Sequence, residues 1–351
     1  QIAGSLVGGT TGIAMAFAGF GVWALVWSAL VAQTVTVLIF WIRSDWYPQL
    51  EFSLSSIRGM WRYGSNILLT SILFFAMLQF NSFIIGKLFP KSDLGLFNRG
   101  GRLPDFVIGI IQSIILKMAF PLFVKVQDQR GQLEQVVRKT IRATAFVSLP
   151  LLALILSNSH DITIVLFTAK WSGSILFLEL FCLSAIFDPF VSIYRELILA
   201  KGKSKLFLHI YIVTSLAEIL AVLLLARYGI LYIIWATVTG KAIQYIIYLL
   251  VTSRYTGIAW QQQLKWISPY LFISVIVVLA VKSVDYPLQH SGLSLFMMLA
   301  LKLGIGSLLY LLLAHLARLE ELSFVRSLYE MFGKKIVKFP PSPLSPPSRD
   351  T

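Results

Sequence analysis

Tyr63-Gly-Ser-Asn-Ile-Leu-Leu-Thr-Ser-Ile-Leu-Phe-Phe-Ala-Met-Leu-Gln-Phe-Asn-Ser-Phe-Ile-Ile-Gly86 fills the whole distance between Arg62 and Lys87 without a charge. That is longer than the roughly 20 apolar residues with which a helix crosses a bilayer. A second uncharged run, Gly21 to Ile42, ends at Arg43. Backbone groups in hydrocarbon have no water to bond, so spans of this length are helices; a barrel strand would alternate over about ten residues instead. The fold class is all-α, a polytopic membrane helix bundle. Working outward, hydropathy predicts about ten transmembrane helices, at 1–20, 21–42, 63–86, 103–124, 143–159, 172–200, 206–226, 229–253, 266–281 and 291–317.

Composition agrees. Of 351 residues 57% are hydrophobic and 13% charged, about half the charge of a soluble domain, which excludes the soluble enzyme classes. Lys and Arg outnumber Asp and Glu by 30 to 16, but they sit between the apolar segments rather than on one face, so anionic lipid headgroups and not nucleic acid are their expected partners. On a strictly alternating path 19 of them fall on one side and 7 on the other, which puts the first side and both chain ends in the cytoplasm. A single Cys182 and four scattered His give no disulfide, CxxC or HExxH, so no metal or cofactor is expected. The chain starts at Gln1 without Met and lacks the pattern of a signal peptide, and it reads as truncated at its front.

Two cytoplasmic connections predict structure of their own: Ser53 to Arg62 a short interfacial helix with Ser53 as N-cap, and Val126 to Arg142 an amphipathic basic helix. The outer connection Lys87 to Arg102 reads as a loop. Gly4, Gly8 and Gly12 give the first span a small-residue stripe for close helix packing. The Pro/Ser-rich end of the tail predicts disorder.

Polar groups in the spans carry the functional signal, because an ionisable side chain at mid-span costs about 2.5–3.5 kcal/mol. Tyr63, Asn66, Thr70 and Asn81 share one stripe of the third span, either lining an aqueous path or bonding to neighbouring helices. Ser184, Asp188, Ser192 and Arg195 share one face of the sixth, with Pro189 beside the aspartate. A mid-helix proline frees a carbonyl near Asp188, which makes either a monovalent cation or proton site, or a kink bridged by an Asp188–Arg195 pair. Glu179 and Glu196 are set aside. Tyr211, Thr214, Ser215 and Glu218 align on the seventh span, and Thr237, Lys241, Gln244 and Tyr248 on the eighth, at depths that allow a Glu218–Lys241 ion pair. Lys302 in the last span has no evident partner, and His209 and His315 read as interfacial.

Several stretches are recognisable. Ala18-Gly-Phe-Gly-Val-Trp-Ala-Leu-Val26, Trp46-Tyr-Pro48, Phe52-Ser53 and Tyr63-Gly64 resemble polysaccharide biosynthesis proteins that flip lipid-linked oligosaccharides, in the multidrug/oligosaccharidyl-lipid/polysaccharide exporter superfamily. So do Asp93-Leu-Gly-Leu-Phe-Asn-Arg-Gly-Gly-Arg-Leu-Pro104, Ala119-Phe-Pro121, Leu149-Pro150, Val165-Leu-Phe-Thr-Ala-Lys-Trp171 and Leu199-Ala-Lys-Gly-Lys203. The likeness covers about residues 1–255, and Thr168 stands where the family usually has Gly. It implies a two-lobed carrier of twelve to fourteen helices in the bacterial cytoplasmic membrane. Residues 1–42 would be the last two helices of an N-terminal lobe, 43–62 a linker, 63–253 the C-terminal lobe core, 266–317 two additional helices and 318–351 a tail. The implied activity is transport of polyprenyl-diphosphate-linked oligosaccharide, driven by a cation gradient. Arg195, Lys241, Asn66, Asn81 and Arg99 are the candidate substrate-binding residues, and Asp188 and Glu218 the candidates for cation or proton coupling. The rival readings are a multidrug/cation antiporter of the same superfamily, favoured by an acidic aromatic cavity, and a membrane-embedded glycosyltransferase or polymerase, which would need acidic ligands on a large outer loop.

Overall fold

The computed structural model describes residues 2–44, 54–289 and 293–322, and all regular structure in them is helical. The chain forms two compact units, residues 1–59 and 60–351.

The first unit holds α1 (Ile2–Phe17) and α2 (Trp23–Arg43), packed as an antiparallel pair. The glycine stripe explains the fit. A Cβ on Gly4 would lie 2.5 Å from the Ala32 carbonyl oxygen, and one on Gly8 would lie 2.6 Å from both the Ser28 carbonyl oxygen and the Ala32 methyl. Nine described helical segments are long and apolar enough to span a membrane, and α1, with 16 residues, is a shorter apolar helix beside them, in line with the expected number of about ten.

The second unit begins within α3 (Leu54–Leu88), which continues unbroken from the segment expected to be a separate interfacial helix. Ser53, its expected N-cap, lies outside the described residues. α4 (Lys91–Val126) corrects the expected outer loop: only Phe89 and Pro90 separate it from α3. Pro90 stops α3 and presets the entry to α4, and Asp93 in the first turn suits the helix N-terminus, so a charged stretch that hydropathy scores as loop extends an apolar helix. α5 (Arg130–Ser157) likewise absorbs the expected amphipathic helix into its own first turns. Its buried Leu133, Val137 and Ile141 lead on to buried Thr144, Ala145, Phe146, Ser148, Leu149 and Pro150.

α6 (Ser159–Phe167) ends at Thr168, and a 3-10 turn over Ala169–Ser174 leads to α7 (Ile175–Ala185). The expected sixth span is two helices, α7 and α8 (Asp188–Ala200), parted at Ile186 and Phe187. Pro189 lacks the N–H that would bond the Ala185 carbonyl, which accounts for the break. α9 (Ser204–Leu225) and α10 (Ile230–Thr256) pack on each other and α10 on α7 and α8; α11 (Trp260–Gln289) and α12 (Leu295–Leu316) close onto α5. The main core lies between α4, α5, α8, α10, α11 and α12, with Phe123, Ile141, Ile193, Tyr194 and Tyr270 fully buried. The tail beyond Leu322 falls outside the described residues.

Candidate functional site

α5, α11 and α12 turn their buried faces to this core, and an open cavity of about 790 Å³ lies between α3, α4, α7, α8, α9 and α10. The stripe Ser184, Asp188, Ser192, Arg195 lines it along its full length. The break before Asp188 puts that carboxylate in the first turn of α8, where helix N–H groups favour negative charge. The Ser192 hydroxyl donates to the Asp188 carbonyl at 3.0 Å.

Asp188 accepts the ammonium of Lys241, reaching across from α10. This corrects both pairings read from the sequence. Arg195 bonds instead to its neighbour Glu196 at 3.0 Å, and Lys241 makes its ion pair with Asp188 and not with Glu218. Glu218 lies beside Asn81, Thr237 and Lys241 on the same cavity, and Asp105 of α4 interacts electrostatically with Lys241 and Asp188.

The wall is completed by hydrogen-bonding and aromatic side chains. The Asn81 amide donates to the Thr237 hydroxyl at 3.2 Å, Gln244 to the Thr214 hydroxyl at 3.3 Å, and the Ser82 hydroxyl to the Asn98 side-chain oxygen Oδ1 at 3.1 Å. Phe74 and Phe207 each lie with ring centroids 6.3 Å from Tyr211, which makes one side aromatic.

The structure thus brings Asp188, Arg195, Glu218, Lys241 and Asn81 to one cavity. Asn66 stays outside the lining and donates to Ser204 at 3.2 Å, helping to join α3 to the start of α9. Of Tyr63 only the backbone is described. Arg99 does not line this cavity: its guanidinium stacks on Phe167 and Trp171, 4.6 and 4.4 Å from the ring centroids, and ties α4 to the end of α6 and the turn after it. Asp105, Gln112 and the set-aside Glu196 do line the cavity. Both acids lie close to the ends of expected spans, 103–124 and 172–200, where hydropathy gives an ionisable side chain no weight.

A profile described as "Polysaccharide biosynthesis protein" matches residues 1–176 of this chain. The chain belongs to the polysaccharide biosynthesis protein family. Two curated relatives extend the likeness past the match. The teichuronic acid biosynthesis protein TuaB of Bacillus subtilis is 22% identical over 83% of this chain and 61% of its own length. The succinoglycan biosynthesis transport protein ExoT of Rhizobium meliloti is 22% identical over 93% of this chain and 65% of its own. This family member therefore spans somewhat under two thirds of those relatives. Among solved structures its fold resembles that of the lipid II flippase MurJ in an inward closed conformation, with a TM-score of 0.63 at 16% identity over 93% of this chain and 67% of that one. With nine described helical segments of membrane-spanning length and with bacterial relatives, this member of the family is a multi-pass protein of the bacterial inner membrane.

Proposed function

We propose that this chain belongs to a carrier that moves polyprenyl-diphosphate-linked oligosaccharide across the cytoplasmic membrane. The observation that carries the reading is the charged and hydrogen-bonding cavity opened beside a broken span. A sugar hydroxyl moved from water to hydrocarbon without a partner costs roughly 4–8 kcal/mol, and a diphosphate far more. A polar cavity removes that barrier while the polyprenyl tail remains in lipid. Arg195 and Lys241 hold the diphosphate, Asn81 and its neighbours meet sugar hydroxyls, and Asp188 and Glu218 take a proton or monovalent cation from the gradient that drives the cycle. The work is transport rather than catalysis. The names of the relatives support it.

A cell lacking the gene should accumulate lipid-linked oligosaccharide on the cytoplasmic face of the membrane. Unchanged surface glycan in that cell, with no second carrier present, would refute the proposal.

One observation favours a second reading. Asp105, Asp188, Glu196 and Glu218 outnumber Lys241 and Arg195 on a wall that also carries Phe74, Phe120 and Phe181. An acidic aromatic cavity suits organic cations, as in a multidrug antiporter. Resistance to cationic drugs that falls on gene deletion while the surface glycan stays intact would select that reading.

A further inference from the structure

Contacts between the cavity helices fix their stagger. Asn66 bonds to Ser204 and Phe74 meets Tyr211, so α3 and α9 run in parallel. Gln244 bonds to Thr214, and a Cβ on Gly240 would meet Glu218, so α10 runs against α9. Asp188 pairs with Lys241, and the Tyr194 and Tyr245 rings meet, so α8 runs with α10. Two levels follow. Asn81, Asp188, Glu218 and Lys241 lie at one. Phe74, Arg195, Tyr211 and Tyr248 lie at the other, each seven residues along its own helix from one of these and therefore about 10 Å away at 1.5 Å per residue.

The levels differ in chemistry. The first is charged. At the second, Phe74, 40% exposed, and Tyr211 lie with ring centroids 6.3 Å apart and planes tilted by 49°, which makes a shallow aromatic cleft, and buried Phe207 backs Tyr211. Hydrogen-bonding groups border it. The Gln244 amide is held by the Thr214 hydroxyl, and Gln112, near the middle of α4, lines the cavity with no partner for its amide among the described residues. Arg195 and Glu196 already bond to each other, so an organic cation on these rings would find Asp188 and Glu218 a full level away. The cleft asks for a ligand with an apolar face and a polar edge. A pyranose ring has that shape: the C–H bonds of its face suit the negative face of an aromatic ring, and its hydroxyls point outward to donors and acceptors.

We propose that Phe74 and Tyr211 form a sugar-stacking subsite, on which a pyranose ring of the glycan lies by its C–H face while Gln244 and Gln112 take its hydroxyls. The inference rests on the carrier reading above and names the part of the cavity that recognises sugar as a ring and not only as hydroxyls. Arg195 borders the subsite, so a ring stacked there lies beside a residue assigned to the diphosphate.

The test uses the full chain in lipid nanodiscs with methyl β-D-glucopyranoside as probe, read by saturation-transfer NMR. Saturation should concentrate on the face that carries H1, H3 and H5 rather than on H2 and H4. Tyr211→Leu and Phe74→Leu, which keep apolar bulk and remove the ring, should each weaken binding about 2–10-fold, whereas Tyr211→Phe keeps the ring and binds as the wild type does. Phe272→Leu, at an exposed position of α11 away from the cavity, should change nothing. Thermal melting reports the fold of each variant, and if Tyr211→Leu does not fold, the exposed Phe74 position carries the comparison. No glucoside binding by the wild type, equal saturation of both faces, wild-type affinity in both leucine variants at the cleft, or an equal loss in Phe272→Leu overturns the proposal. So does tetraethylammonium binding that needs Tyr211 where the glucoside does not bind. Glycan export is read separately in cells: face-selective stacking combined with unchanged export after gene deletion refutes the carrier reading and leaves the sugar subsite standing.

Discussion

Thr168 holds φ +73° and ψ 164° at the end of α6, a region in which a β-branched residue is strained and glycine is not. The strain is offset by what the turn does: the Thr168 carbonyl accepts the Trp171 N–H at 3.1 Å and so sets the ring that stacks on Arg99. Thr168→Gly should relieve it and stabilise the protein by about 1 kcal/mol, the strain of about 1–3 being partly cancelled by the greater freedom of glycine in the unfolded chain. A thermal midpoint in detergent that does not rise would show that the turn is comfortable with threonine. The glycines of α1 make a paired test. A Cβ on Gly8 would lie 2.6 Å from the Ser28 carbonyl oxygen and the Ala32 methyl, whereas one on Gly9 meets nothing within 4 Å. Gly8→Ile should overpack the α1–α2 contact, cost about 1–3 kcal/mol and lower abundance in the membrane, while Gly9→Ile leaves abundance unchanged. Quantitative blotting of the membrane fraction reads both. The small-residue spacing was visible in the sequence; which glycine carries the tightest contact was not, because that depends on the rotation of α2.

The α7–α8 break decides what the cavity can do, since it turns Asp188 from a mid-helix residue into a first-turn residue. Pro189→Ala returns an N–H that the Ala185 carbonyl can accept and should favour one continuous helix. Glycan export should fall at normal abundance; export unaffected by the substitution would mean that the break has no part in transport. At this scale the sequence was legible wherever apolar length alone decides. α9, α10 and α12 lie within a few residues of the hydropathy windows. It misled where polar residues extend a helix beyond its apolar part, as at Lys91–Arg102 and Arg130–Arg142, because intrahelical hydrogen bonds continue into water where hydropathy stops. The sidedness of the helices is tested by cysteines at Lys201 and Lys282. Lys201 should label only from the cytoplasm and Lys282 only from outside, and the reverse pattern would invert the topology.

Across the whole molecule, the residues that were conspicuous as charges in apolar spans divide by location. Asp188, Arg195, Glu218 and Lys241 meet at the cavity, and the face spacing of Ser184, Asp188, Ser192 and Arg195 was enough to group them. Their partners were not legible, since an ion pair between α8 and α10 depends on helix rotation and depth that periodicity does not contain. Lys302 belongs elsewhere. Its ammonium is buried between Asp161 of α6, at 2.6 Å, and Asp285 of α11, on the far side of the core. The two acids are separated from it in sequence, so nothing along the chain marks them as its partners.

That buried lysine has a consequence for how the protein is made. Asp161 enters the membrane early in synthesis, and its counter-charge leaves the ribosome only when α12 does, 141 residues later. Until then α6 harbours an acid without its partner, and α12, threaded alone, meets the lipid with an unpaired cation that costs about 2.5–3.5 kcal/mol at the centre of a helix. The last helix is therefore better accepted by the half-assembled protein than by the bilayer. A nascent chain interrupted before Lys302 presents a standing mark of incompleteness to the proteases that patrol the membrane.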